Sequence, residues 1–87
     1  MNIKLHRKFE KQYKKLPEEI KIKTKKVITI FSINPFHPPL KNHSLSGQLK
    51  KFRAIFVTPS IRIIFQQFDN YTIVTFLDIG GHDKVYK

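Results

Sequence analysis

Two histidines are the side chains of this 87-residue chain best suited to chemistry. His43 lies in a long proline-rich loop, and His82 directly follows the last predicted strand. Imidazole has a reference pKa of about 6.5, so one ring can take up a proton and a second can give one near neutral pH. Fixed cations stand nearby in the sequence. Arg53 and Arg62 fall within predicted strands, and Lys50 and Lys51 precede the first of them. Two imidazoles among fixed cations suit metal-free RNA cleavage. A base deprotonates a 2′-hydroxyl, the oxygen attacks the adjacent phosphate, an acid protonates the 5′-oxygen, and cations stabilise the developing charge. Other readings of the same residues stay open. A histidine pair is also a start on a zinc site, although no third ligand accompanies it. Arg62 also fits a structural cross-strand role, and Tyr86 fits an anchor for the C-terminal tail. His6, near a helix start, and His37, between prolines, read as ordinary surface residues.

Much other chemistry is excluded. The chain has no cysteine, which removes disulfides, thiolate metal sites and cysteine nucleophiles. Beyond the helical half the acids are Asp69, Asp78 and Asp83 alone, too few for a paired-carboxylate hydrolase or a carboxylate cage. Ser44, Ser46 and Ser60 lack a nucleophile elbow, and Gly80-Gly81 is adequately explained as a strand end.

The elements that must position these residues follow from apolar spacing. Ile3 and Leu5 alternate with polar neighbours as a short first strand. Phe9, Tyr13 and Leu16 then share one face of a helix, with Lys8, Lys11, Lys14 and Lys15 opposite. Pro17 followed by Glu18 and Glu19 starts a second helix running to about Ser32, with Ile20, Val27, Ile30 and Phe31 as its buried stripe. Asn34-Pro35 stops it. Residues 34–47 hold three prolines and one glycine and read as a loop without regular structure. Three β-branched and aromatic runs follow at Leu49–Val57, Ile61–Phe68 and Tyr71–Ile79, joined by turns too short for crossovers. Strict alternation in the last run puts Ile73, Thr75, Leu77 and Ile79 on one face and Val74, Phe76 and Asp78 on the other. The expected fold is α+β in the order β-α-α-β-β-β. An antiparallel sheet carries the helical hairpin on one face and leaves the other open for function.

Charge narrows the partners. The chain carries 17 Lys+Arg against 6 Asp+Glu, a formal charge of +11. The excess is steepest over residues 1–26, with ten basic and three acidic side chains. Such a surface favours phosphates or an acidic protein over a merely solvated lysine face. No apolar run reaches the ~20 residues that cross a bilayer. The basic N-terminus is not followed by a signal-like apolar stretch, so one cytoplasmic domain without cofactor is expected.

The motifs KNHSLSGQLKKFRAIFV, SIRIIFQQ and IGGHDKVY, set in this element order, resemble the RelE/ParE superfamily of type II toxin–antitoxin toxins. The chain looks closest to the YafQ-like branch of ribosome-associated mRNA interferases, over nearly its whole length. The resemblance implies catalysis by His43 and His82, one as base and the other as acid. It sets Arg62 at the scissile phosphate and Tyr86 against the mRNA, and it makes Lys50, Lys51 and Arg53 substrate or ribosomal RNA contacts. It also implies a cognate acidic antitoxin, with the free toxin a monomer. The chain departs from the branch at two places, where Phe56 and Ser60 stand for a histidine and an aspartate. Two other functions are compatible with the fold: a ParE-like gyrase inhibitor without nuclease chemistry, and a simple basic RNA-binding module.

Overall fold

A computed structural model of the chain describes residues 1–47 and 51–81. Lys50, His82 and Tyr86 lie outside the described residues. The first strand, β1 (Asn2–Leu5), passes directly into α1 (Arg7–Lys14) at His6. His6 is the helix cap, its Nδ1 accepting the Lys8 backbone N–H at 3.0 Å, which satisfies one of the donors a helix start leaves open. Phe9 is buried and tilts against Phe76, 5.5 Å between ring centroids. The second helix, α2 (Glu18–Ile33), begins after Pro17, with both glutamates in its first turn where the macrodipole favours negative charge. The Tyr13 hydroxyl donates to the Lys21 carbonyl at 3.3 Å and ties the two helices together. Thr24, Val27 and Phe31 form the buried face of α2. Ile30, expected in that stripe, is 40% exposed, because it lies about 100° round the helix from Phe31.

The sheet has five strands in the order β1-β5-β4-β3-β2, with β2 His43–Ser44, β3 Arg53–Thr58, β4 Ile61–Phe68 and β5 Ile73–Gly80. Two helices and one sheet make the expected α+β fold, and β3, β4 and β5 make the expected antiparallel meander. The sheet as a whole is mixed, since β1 runs parallel to β5, with Asn2 opposite Ile73 and Leu5 opposite Phe76. The loop expected to hold no regular element contains a 3₁₀ turn, Pro38–Leu40, and the two-residue strand β2. The first strand of the meander starts at Arg53, with Leu49 outside the described residues, and the last starts at Ile73 rather than Tyr71. The delay in β5 has a local cause. Asp69, Asn70 and Tyr71 all take positive φ, at 54°, 52° and 68°, so the β4–β5 turn is longer than a two-residue hairpin.

Two bulges decide which side chains meet the helices. Val57 is the extra residue between the Phe56–Arg62 and Thr58–Ile61 pairs, and Leu77 between the Ile64–Asp78 and Phe65–Phe76 pairs. The second overturns strict alternation in β5: Val74, Phe76 and Ile79 all enter the same core. That core joins them to Phe9, Val27, Phe31, Leu40, Ile55, Val57, Ile63 and Phe65. The other sheet face is not bare. Leu45 folds back over Ala54 and Ile64, with Phe52 and Leu77 at the margin, as a small second cluster.

Asp78 is the one buried carboxylate among the described residues. Its Oδ2 pairs with Lys8 Nζ at 3.1 Å, and its Oδ1 accepts the Ile79 N–H at 2.9 Å. Asp78→Ala therefore removes the ion pair between α1 and β5 and should destabilise the fold by about 1–3 kcal/mol in urea unfolding. An unchanged midpoint would mean the pair is ornamental, as most exposed ion pairs are. Among the described residues no helix is long and apolar enough to cross a membrane.

Candidate functional site

The uncovered end of the second sheet face carries the candidate site. His43 pairs with Ala54, and Ala54 with Ile64, so these three side chains share a face. Phe56 and Arg62, two residues along their strands and opposite each other, share it too. Arg62 in turn faces Gly80 of β5. Sheet spacing puts the Cα atoms of His43 and Arg62 about 12 Å apart on this face. His43 is exposed, and Arg62 and Phe56 are half-buried.

The orientation and tautomer of His43 are set by one hydrogen bond. Its Nδ1 lies 2.7 Å from the Lys41 carbonyl oxygen. A carbonyl only accepts, so Nδ1 carries the hydrogen and the neutral ring keeps its lone pair on Nε2. Lys41 offers that carbonyl because its backbone is left-handed, φ 50°, at the end of the 3₁₀ turn, with its own N–H bonded to the Pro38 carbonyl at 3.1 Å. The ammonium of Lys41 lies 5.1 Å from the centre of the Phe56 ring. Sequence reasoning passed over Lys41. Its place two residues before His43 gains meaning only from the β2–β3 register, which sets it opposite Phe56.

Arg53 is placed differently. It belongs to the helix-facing side of β3, where its Nε donates to Asn42 Oδ1 at 2.8 Å and its guanidinium lies 5.8 Å from the Phe36 ring centre. Asn42 also donates to the Pro35 carbonyl at 3.0 Å and to the Tyr71 hydroxyl at 3.1 Å. Tyr71 is fixed by its N–H to Gln67 Oε1 at 2.9 Å and by ring contacts with Phe31, Phe36 and Phe65. These contacts offset the strain of a bulky residue at positive φ. Asn42, the residue between Lys41 and His43, is thus clamped by its own side chain. Asn42→Ala removes three hydrogen bonds and should lower stability by about 1–3 kcal/mol in urea unfolding. A variant as stable as the parent would show the clamp to be dispensable.

Lys51 is exposed, its ammonium 5.4 Å from the Phe52 ring centre. The described chain ends at Gly81, where a Cβ would lie 3.5 Å from the Ser60 carbonyl, beside the β3–β4 turn and one residue short of His82. Among the described residues no three His, Asp or Glu side chains come together as a metal site.

The model of the bacterial toxin of type II toxin–antitoxin systems, YafQ, matches residues 1–87. The chain belongs to the YafQ toxin family. It is therefore a toxin of a type II toxin–antitoxin system. No curated protein matches it. Among solved structures it shares its fold with YafQ from E. coli strain BL21(DE3), at 23% identity and TM-score 0.82 over 99% of this chain and 98% of that one. The YafQ chain of the E. coli DinJ–YafQ toxin–antitoxin complex is 25% identical, at TM-score 0.77 over 99% of this chain and 97% of that one. A YoeB/ParE toxin from Agrobacterium tumefaciens is 14% identical, at TM-score 0.79 over 94% and 99% of the two chains. Family membership accords with the RelE/ParE-like resemblance of the motifs, and KNHSLSG is the stretch that builds the Lys41–His43 pair.

Proposed function

We propose that this YafQ-family toxin is a metal-free, ribosome-dependent mRNA endoribonuclease, held inactive by an acidic antitoxin. The observation that supports it best is the Lys41 carbonyl bonded to His43 Nδ1, which in the neutral ring puts the lone pair on Nε2, on the same face as Arg62. In the proposed reaction Nε2 takes the 2′-hydroxyl proton and the 2′-oxygen bonds to phosphorus. The bond from phosphorus to the 5′-oxygen then breaks, and that oxygen receives a proton from His82. The products are a 2′,3′-cyclic phosphate and a 5′-hydroxyl. Arg62 stabilises the charge gathering on the phosphoryl oxygens. Lys50, Lys51 and Tyr86 contact the message or the ribosome. Arg53 contributes through Asn42, by holding the loop that carries His43.

The antitoxin proposal rests on charge and on kinship with a toxin seen bound to DinJ. An acidic segment that folds as it binds suits a +11 surface, with fast and salt-sensitive association. The free toxin is then a monomer. Inducing the chain in cells and mapping 5′ ends within translated mRNAs tests the nuclease. Cuts bearing 5′-hydroxyls are expected. Intact messages with supercoiling defects would replace this reading with a ParE-like one, and bound but uncut RNA with a simple binding module.

A further inference from the structure

We propose that the Phe56 ring is a perch that holds the Lys41 ammonium over the sheet, between His43 and Arg62, as a ligand for an RNA phosphate. The inference rests on the nuclease reading and adds a third cationic contact to it. The register of β2 and β3, continued by two residues beyond His43–Ala54, sets Lys41 opposite Phe56, and Phe56 lies opposite Arg62. Lys41, Phe56 and Arg62 therefore form one row across the open face, next to the row that begins with His43. The ammonium sits 5.1 Å from the ring centre, so the charge of Lys41 is drawn inward over β3 instead of trailing into solvent. By sheet geometry the Phe56 Cα lies about 5 Å from that of Arg62 and about 8 Å from that of His43, so the ring stands between the two strands that carry them.

Three further observations point the same way. The Lys41 backbone is fixed by its left-handed φ and its bond to Pro38, so the root of the side chain does not wander. The Lys41 carbonyl is the group that orients His43, so the ammonium and the base are placed by a single residue. Among the described residues the one ion pair is Lys8–Asp78, so neither Lys41 nor Arg62 is neutralised by a carboxylate there. Two unneutralised cations either side of a half-buried ring form a receptor for an anion, and a phosphodiester is the anion the neighbouring base can act on. In this arrangement Lys41 touches the substrate and Phe56 is a positioning residue.

The test measures binding of a short, uncleavable 2′-O-methyl oligoribonucleotide at several salt concentrations. Lys41→Met keeps the length of the side chain and removes its charge. It should weaken binding about tenfold or more and flatten the slope of log affinity against log salt by about 0.7, the loss of one phosphate contact on a single strand. Phe56→Leu should reproduce both changes with the lysine still present, and Phe56→Trp, which restores an aromatic face, should reverse them. Lys41→Met is a surface change and decides the matter even if Phe56→Leu fails to fold. Affinity and salt slope unchanged in Lys41→Met would overturn the proposal, as would equal losses in Phe56→Leu and Phe56→Trp with Lys41→Met unaffected. A wild-type toxin that binds no oligonucleotide would overturn it too. Cleavage of translated mRNA by the wild type, followed in parallel, shows separately whether the nuclease reading stands.

Discussion

His43→Ala should lower the rate of mRNA cleavage by about 10²–10⁴-fold, the usual loss when a positioned acid or base is removed. The fold should survive, because the ring is exposed and β2 is held by backbone pairing and by Asn42 rather than by the imidazole. Stability within about 0.5 kcal/mol of the parent is expected, as for most surface substitutions. Lost cleavage with retained stability separates a chemical role from a structural one. His43→Gln is the sharper control: its amide can still donate to the Lys41 carbonyl, but it has no basic nitrogen where Nε2 stood. It should be as inactive as the alanine variant. Full growth arrest and unchanged mRNA cleavage by either variant would remove His43 from the reaction.

Phe31→Ala should be the most damaging change to the fold. The ring is fully buried, and it meets Phe65 edge-on at 5.0 Å and Phe76 at 5.6 Å between centroids. Truncation of a buried phenylalanine to alanine costs about 3–5 kcal/mol, and here it also breaks aromatic contacts on both flanks. A domain of this size has about 4–13 kcal/mol in total, so the variant loses a large share of its stability. Urea unfolding at low temperature measures the shift. Ile33→Ala on the same helix, at a residue 81% exposed, should shift the midpoint little. Similar losses in the two variants would mean that α2 does not pack as described.

Local pattern carried the helices. Phe9 and Tyr13, then Val27 and Phe31, recur at helical spacing, and His6 and Pro17 mark where each helix starts. The meander was equally legible from its β-branched runs. What escaped depends on partners remote in sequence. Nothing within Asn2–Leu5 specifies that its neighbour is β5, or that the pairing is parallel. The two residues of β2 become a strand only because Ala54 and Arg53 lie alongside. The bulge at Leu77 defeats alternation without a glycine to announce it, and so Ile79 joins Val74 and Phe76. At the site, histidine chemistry drew attention to His43, and the motif KNHSLSG supported it. The contribution of Lys41 was hidden because a lysine in a loop carries no signal until the ring beneath it is located. The contacts of Arg53 with Asn42 and Phe36 were hidden for the same reason, since its strand parity sets them.

The parallel seam between the first and last strands bears on the order of assembly during synthesis. The N-terminal segment and both helices leave the ribosome long before the residues of β5 that they must cover. Closure of the sheet then waits on a pairing between its first and last strands, which is slow by its topology. A nascent toxin thus carries an unmatched apolar seam until β5 emerges, open to capture by a companion protein already present in the cell.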